Sequence, residues 1–337
     1  MAASLADQQS RGPDQTAAPA GCVGSEAWPE GRARPDFFII GAPRCGTTSL
    51  FAYLSANPSI FMTGTKEPKY FCSDLPTPLR KVQGLQEYGE LYPPVGCDLV
   101  CGEATPWYLY SRVAVPAILR CHPEAKFIVM LRDPTAMAES LYAKHCLVGL
   151  EEAPTFEAAW QAQRPEHLAD RRLDGPPIPN FPYGDVCALG QQLRRLYAQV
   201  SRARVRVVFL EDLARDPRVV IGDVASFLEV EPVTPAQFTA HNVGRQHRGP
   251  SSQRAWSRVR QHPVYRTLKQ TANRLGLHPG RWVQDKILTA PTNGRERRSP
   301  LLATVREHFR PEVLLLQELT GRSLRHWLPA LVGLALA

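Results

Sequence analysis

Three stretches of the chain are apolar without interruption or nearly so: Phe37-Phe38-Ile39-Ile40, Lys126-Phe127-Ile128-Val129-Met130-Leu131, and Val205-Arg206-Val207-Val208-Phe209-Leu210. They lack the strict alternation of a half-exposed strand and are too short for a buried helix, so they predict strands covered on both faces. Asp98-Leu99-Val100-Cys101 is a fourth candidate. Each of the three long runs leads into a helical stretch. The first is Thr47–Leu54, with Leu50, Tyr53 and Leu54 on one face and Asn57-Pro58 closing it. The second follows Arg132-Asp133-Pro134 and runs to about Leu147, and the third lies near 216–228. Strands alternating with helices predict an α/β fold, a three-layer sandwich with a central parallel sheet, flanking helices and right-handed crossovers.

The remaining segments are less regular. Residues 183–200 read as an amphipathic helix, and 301–319 as a final helix with Gly321 as its stop. Residues 240–300 are rich in Arg, Gly and Pro and resist assignment, and 72–95 and 148–182 read as irregular. Residues 1–35, built of Ala, Gly, Pro, Ser and Gln, read as a disordered leader. They have neither the basic start nor the apolar core of a signal peptide. The folded domain is therefore expected over 36–328, followed by an apolar tail at 329–337. No apolar run reaches the ~18 residues of a membrane span, so the sequence predicts a cytoplasmic placement with no transmembrane segment.

Of 337 residues, 44% are hydrophobic and 21% charged, which excludes global disorder. Forty Lys and Arg against 32 Asp and Glu give a net charge of +8, favouring anionic partners without choosing among them. Only seven of the basic residues are lysine. The arginine and proline bias fits a base-composition effect as well as a functional one. The eight cysteines form no CxxC pair and no zinc-type spacing with histidine, and predict free thiols in a reducing compartment. No metal site is expected.

The strand at Phe37–Ile40 is followed by Gly41-Ala42-Pro43-Arg44-Cys45-Gly46-Thr47-Thr48 and then a helix. A Gly-containing turn opening a helix presents unpaired backbone N–H groups and the positive end of the helix dipole to an anion. The arrangement is P-loop-like, but Thr47 stands where a nucleotide-triphosphate loop carries lysine. Binding of β- and γ-phosphates is thus poorly supported. The loop's cation is Arg44, which suits one phosphate in the cradle and a leaving-group oxygen beside the guanidinium.

This segment resembles the 5′-phosphosulfate loop of sulfotransferases that use 3′-phosphoadenosine-5′-phosphosulfate (PAPS). Five more blocks resemble that family in its own order: Lys66-Glu67-Pro68-Lys69-Tyr70-Phe71; Gly102-Glu103-Ala104-Thr105-Pro106-Trp107-Tyr108; Leu131-Arg132-Asp133-Pro134 with Ser140; Phe209-Leu210-Glu211-Asp212-Leu213; and Leu319-Thr320-Gly321-Arg322-Ser323-Leu324 with Trp327. The likeness spans about 36–328 and is nearest to the heparan-sulfate-type and bacterial branch.

The resemblance implies roles. Arg44, the backbone of Cys45, Gly46, Thr47 and Thr48, and the pair Arg132 and Ser140 would hold PAPS, the last two at its 3′-phosphate. Arg44 takes the place of the family's catalytic lysine, as a fixed cation and not a proton donor. Glu67 corresponds to the branch's general base. Lys66, Lys69 and His145 are assigned to the acceptor. Gly294 and Arg295 loosely match a loop that closes over the nucleotide. The implied reaction is sulfuryl transfer to a hydroxyl or amine of a small-molecule or glycan acceptor, without a metal. Two departures weaken heparan sulfate itself as that acceptor: Ala104 replaces a glycan-binding lysine, and a C-terminal cysteine pair is missing. The rival readings are a P-loop kinase or hydrolase, a non-catalytic sulfonucleotide- or glycan-binding protein, and nucleic-acid binding through the Arg-rich 245–300 stretch. The last lacks interleaved aromatics.

Overall fold

The computed structural model describes residues 28–75, 80–96, 98–148, 150–151, 153–163, 182–233, 245–247, 289–291 and 300–329. Its centre is a five-stranded parallel sheet of β1 (Phe37–Gly41), β2 (Ile60–Met62), β3 (Val100–Ala104), β4 (Lys126–Leu131) and β5 (Val205–Phe209), in the order β2-β3-β1-β4-β5. The three apolar runs are its three adjacent strands β1, β4 and β5. Phe37 to Ile40 and Phe127 to Leu131 are wholly buried, as expected for strands covered on both faces. The helices flank this sheet: α1 (Thr47–Leu54), α2 (Leu85–Gly89), α3 (Ala114–Cys121), α4 (Pro134–Val148), α5 (Phe156–Ala162), α6 (Tyr183–Val186), α7 (Leu189–Tyr197), α8 (Leu210–Arg215), α9 (Pro217–Leu228) and α10 (Pro300–Thr320). α10 packs on α7 and α4, and α1 contacts α9.

From β1 the chain lays β2 and β3 on one side, then crosses to place β4 and β5 on the other. β1 thus sits where the strand order reverses. In open parallel sheets the crevice beyond the carboxyl ends of strands at such a point is where ligands bind. The Gly41–Thr48 turn leaves β1 at that end.

Several elements differ from expectation. The fourth strand candidate is displaced toward its C-terminus: β3 begins at Val100 and runs through Gly102 and Glu103 to Ala104. Gly102 lies opposite Phe37, and a Cβ there would stand 2.2 Å from its ring. The 183–200 helix is two pieces, α6 and α7, divided at Cys187-Ala188, and α8 begins directly at the end of β5. β2, three residues long, leaves too short a pattern to read. The 240–300 region contributes a described antiparallel pair, Arg245–His247 with Thr289–Pro291.

The chain is packed by Trp28, ahead of β1. Its indole lies 5.1 Å from the His122 ring and 5.7 Å from Tyr92, and its Nε1–H donates to the Arg32 carbonyl. The sequence blocks around Glu211 and Trp327 meet at the opposite edge. Trp327 donates to Glu211, and the Arg322 guanidinium grips Asp212, holding that carboxyl below its usual range. Gly321 ends α10 at φ 67°, as expected of a helix stop.

Cys45, Cys72, Cys101, Cys146 and Cys187 are free, but Cys121 at the end of α3 is disulfide-bonded. The expectation that all cysteines are free thiols is corrected to that extent. Cysteine spacing carries no information about pairs that only the fold brings together.

Gly46 joins the β1 turn to α1 at φ 87°, and a Cβ there would lie 2.6 Å from Leu210 Cδ1. Gly46→Ala should therefore destabilise the fold by about 1–3 kcal/mol in denaturant unfolding. Gly64→Ala, where a Cβ meets nothing within 4 Å, should stay within about 0.5 kcal/mol of the parent. Equal stabilities for the two variants would contradict the strained geometry at Gly46.

Candidate active site

The turn after β1 leaves the first amides of α1 open. Gly46 is the N-cap in the left-handed region, and no side chain caps the helix. The first N–H groups of any helix have no intrahelical partner, and the dipole adds positive potential where they point. Arg44 is a non-glycine residue at φ 65°, a conformation held only where surroundings over-determine it. Those surroundings are Ser140 and Arg132: Arg44 Nε donates to Ser140 Oγ on α4 at 3.0 Å, and Arg132 Nη1 donates to the Arg44 carbonyl at 3.3 Å. Ser140 and Arg132, far from the turn in sequence, are thus brought against it.

A second loop approaches from the β2–β3 side. Lys66 Nζ donates to Thr48 Oγ1 at 2.6 Å and stands 3.5 Å from Glu67 Oε1. Lys69 Nζ is 3.8 Å from Glu67 Oε2 and lies over the Trp107 ring, 5.9 Å from its centroid. Lys81 donates to the Lys66 carbonyl. Glu67 and Lys69, at φ 55° and 59°, flank Pro68. Their backbone is tied to the end of β3: Glu67 N–H donates to the Ala104 carbonyl at 3.1 Å and Lys69 N–H to Thr105 Oγ1 at 3.4 Å.

Arg44, Thr48, Lys66, Glu67, Lys69, Arg132 and Ser140 therefore form one continuous cluster. Glu67 faces Lys66 and Lys69 and lies within charge range of Arg44, while Arg132 lies within charge range of Asp133 and Glu139. Burial lowers the affinity of Arg44, Lys66 and Lys69 for their protons; the Arg132 charge adds to that at Arg44, while Glu67 offsets it at both lysines. The guanidinium of Arg44 remains charged across the working pH range. Partly desolvated cations crowded round the one carboxylate of Glu67 favour an anion.

Cys45 and Thr47 are buried. The Cys45 thiol faces Met137 Sδ at 3.8 Å, and burial pushes it up to about 12. It is no nucleophile, and the Cys45 N–H is taken by the Ala42 carbonyl at 3.2 Å, so Cys45 closes the turn and leaves the cradle's open amides to Gly46, Thr47 and Thr48. His145 lies inside the protein against Tyr183, ring centroids 5.7 Å apart, and burial pulls it down to about 4. It is a neutral interior imidazole close enough to Arg44 to sense its charge. Gly294 and Arg295 lie outside the described residues.

Sequence reasoning passed over Lys81, Thr105 and Trp107. Thr105 and Trp107 belong to the Gly102–Tyr108 block, whose order was legible while its individual contacts were not. Asp133, beside Arg132, is a helix cap: Thr135 N–H donates to its Oδ1 at 2.9 Å.

A parallel α/β sheet carrying an uncapped helix N-terminus and a cationic cluster at its order-reversal point defines a phosphate- or sulfate-handling protein. The family described as Sulfotransferase domain matches residues 34–241, more than half of the chain, and the chain belongs to that family. Human heparan sulfate glucosamine 3-O-sulfotransferase 6 is 29% identical over 206 residues, covering 60% of this chain and 55% of that protein. The membrane-associated sulfotransferase kil1 of Dictyostelium discoideum is 32% identical over 108 residues, 32% of this chain and 22% of the relative. The chain thus spans about half the length, or less, of these curated relatives. The sulfotransferase from Alicyclobacillus acidocaldarius shares the fold at a TM-score of 0.63 and 24% identity, over 88% of this chain and 99% of that one.

The buried histidines give this region a pH signature. His145 and His122 titrate at about 4 and about 3, both displaced chiefly by burial, against an ordinary value of 6.5. Below 6.5 the unfolded chain takes up protons that the native chain refuses, so stability is lost as pH falls from about 6.5 toward 4. Replacing His122 by Phe should make the measured fall in unfolding free energy shallower. Ring signals titrating near 6.5 in NMR would contradict the burial.

Proposed function

We propose that this chain transfers a sulfuryl group from PAPS to a hydroxyl or amine of an acceptor, a carbohydrate or glycoconjugate. The observation that carries this reading is the convergence of Arg44, Lys66 and Lys69 on the Glu67 carboxylate, with Arg132 held against the Arg44 carbonyl, beside the open N-terminus of α1. Backbone N–H groups of Gly46, Thr47 and Thr48 receive the 5′-phosphate, the Cys45 N–H being already given to the Ala42 carbonyl at 3.2 Å. Arg132 and Ser140 receive the 3′-phosphate, Ser140 being already hydrogen-bonded to Arg44.

Glu67 accepts the proton of the acceptor group as that group attacks sulfur. One oxygen–sulfur bond forms while the bond from sulfur to the bridging oxygen breaks, and the electron pair stays on the departing phosphate oxygen. Arg44 stabilises the charge that develops there, and Lys66, placed between Thr48 and Glu67, faces the sulfuryl oxygens in flight. Protein cations supply the charge stabilisation that a divalent ion supplies in nucleotide kinases. Thr47 in the lysine position of a triphosphate loop favours this reading over a kinase.

Ala104 keeps the acceptor open: its side chain is wholly buried and offers no charge for an acidic glycan. Among the described residues, no helix is long and apolar enough to cross a membrane. The Cys121 disulfide favours an oxidising compartment over the cytoplasmic placement expected from the sequence.

The reading is tested with adenosine 3′,5′-bisphosphate in a calorimeter. Saturable binding is expected, weakened at least ~10-fold by Arg132→Ala through loss of a charge-assisted contact. Absence of any binding heat would remove the reading. Glu67→Gln should bind the nucleotide like the parent while label transfer from radiolabelled donor to a glycan panel falls by about 10²–10⁴.

A further inference from the structure

Glu103 is buried completely on β3, and the mechanism above makes no use of it. Among the described residues, no cation is hydrogen-bonded to it. Its Oε1 accepts from Thr105 Oγ1 at 2.6 Å, and its Oε2 from the hydroxyls of Tyr88 at 2.6 Å and Tyr108 at 3.1 Å. Tyr88 is in turn 2.8 Å from the Tyr92 hydroxyl. Burial of an uncompensated carboxylate is costly, and a hydrophobic replacement is often neutral or stabilising. Its presence calls for a use.

The use follows from hydrogen-bond polarity. A hydroxyl has one proton and two lone pairs. Because Thr105 and Tyr108 give their protons to Glu103, their oxygens face outward as acceptors. Those oxygens accept the backbone N–H groups of Lys69, at 3.4 Å, and Phe71, at 3.5 Å. The neighbouring residue, Ala104, accepts the Glu67 N–H. The turn so held carries two residues at positive φ, a conformation that costs of order 1–3 kcal/mol each and needs external support.

We propose that Glu103 is a positioning residue: by fixing Thr105 and Tyr108 as acceptors for the Lys69 and Phe71 amides, it sets the turn that presents Glu67 and Lys69 to the anion cradle. This rests on Glu67 being the base. A neutral group at 103 carries its own proton or amide hydrogens, so one hydroxyl must turn and its acceptor function is lost. Burial raises the Glu103 carboxyl to about 7, and the three hydroxyl bonds draw it down against that rise. The groups facing it are Tyr88, Tyr92, Tyr108, Thr105 and Cys72, all neutral near that pH: burial lifts the three tyrosines and Cys72 well above their usual values.

The test is Glu103→Gln in the full chain. Hydrogen exchange of the 66–71 segment should quicken at least tenfold while α1 and its affinity for adenosine 3′,5′-bisphosphate stay unchanged. With desulfated heparan sulfate as acceptor probe, kcat should fall about tenfold with little change in KM. The parent's rise in kcat with pH through about 7 should be missing from the variant. Unchanged exchange at 66–71 would overturn the proposal. So would a loss of nucleotide affinity in step with loss of folded protein, which marks a merely structural role. If the variant fails to fold, Thr105→Val should quicken exchange and Thr105→Ser restore it; equal behaviour of the two would also overturn the proposal. The base reading is separable: Glu67→Gln with parental turnover removes that reading, whereas a dead Glu67→Gln beside a parental Glu103→Gln removes only the positioning role.

Discussion

Mutual repulsion among partly desolvated cations is the constraint around which this protein is arranged. Arg44, Lys66 and Lys69 meet beyond the end of β1 around the Glu67 carboxylate, and the Arg132 charge adds to the repulsion at Arg44. Like charges about 4 Å apart repel by roughly 4 kcal/mol at the effective dielectric typical of protein surfaces. Glu67 offsets part of that cost at the lysines, and the scaffold bears the rest. The central strands β1 and β4, wholly buried from Phe37 to Ile40 and from Phe127 to Leu131, supply the rigid floor from which Arg44 and Arg132 project. On the proposed reading, a dianion in the cradle would relieve the repulsion.

The same constraint explains the backbone geometry. Arg44, Glu67 and Lys69 all hold positive φ although none is glycine, and all three sit in the cluster. Strain collects where side chains must be aimed against their electrostatic preference. The strained residues are anchored from other elements: Arg44 from α4 and the end of β4, through Ser140 and Arg132, and both Glu67 and Lys69 from the end of β3. The cradle is therefore a product of tertiary packing and not of the turn alone.

That distinction decides what the sequence could disclose. The strands β1, β4 and β5 were legible because burial on both faces leaves a continuous apolar run that no other element of that length produces. Arg44, Thr48, Glu67, Arg132 and Ser140 were legible as residue types in ordered blocks, and the fold brings them together. β3 was misplaced by two residues because Gly102 and Glu103 break its apolar pattern: one yields room to Phe37, the other carries a buried charge. His145 looked available as a polar residue near the end of a helix, yet the aromatic wall of Tyr183 encloses it. Burial of that kind depends on α6, which arrives from some forty residues further along the chain. Local pattern carries no trace of such contacts, and the Cys121 disulfide was hidden for the same reason.

The acceptor side follows a different logic from the donor side. On the proposed reading, donor contacts come largely from backbone groups and from cations at rigid strand ends, so their chemistry is set by the fold. Around Glu67 the groups that face outward are Lys66, Lys69 with the Trp107 ring beneath it, and Lys81 behind. An aromatic face beside ammoniums suits a ring-bearing, anionic acceptor, since such a ligand gains dispersion against the indole and charge pairing with the lysines. The buried methyl of Ala104 removes one cation from that set. On the proposed reading, the wall that faces the acceptor thus sets ammoniums around an aromatic face with no charge at position 104, and it discriminates among acceptors by shape and by where those charges stand.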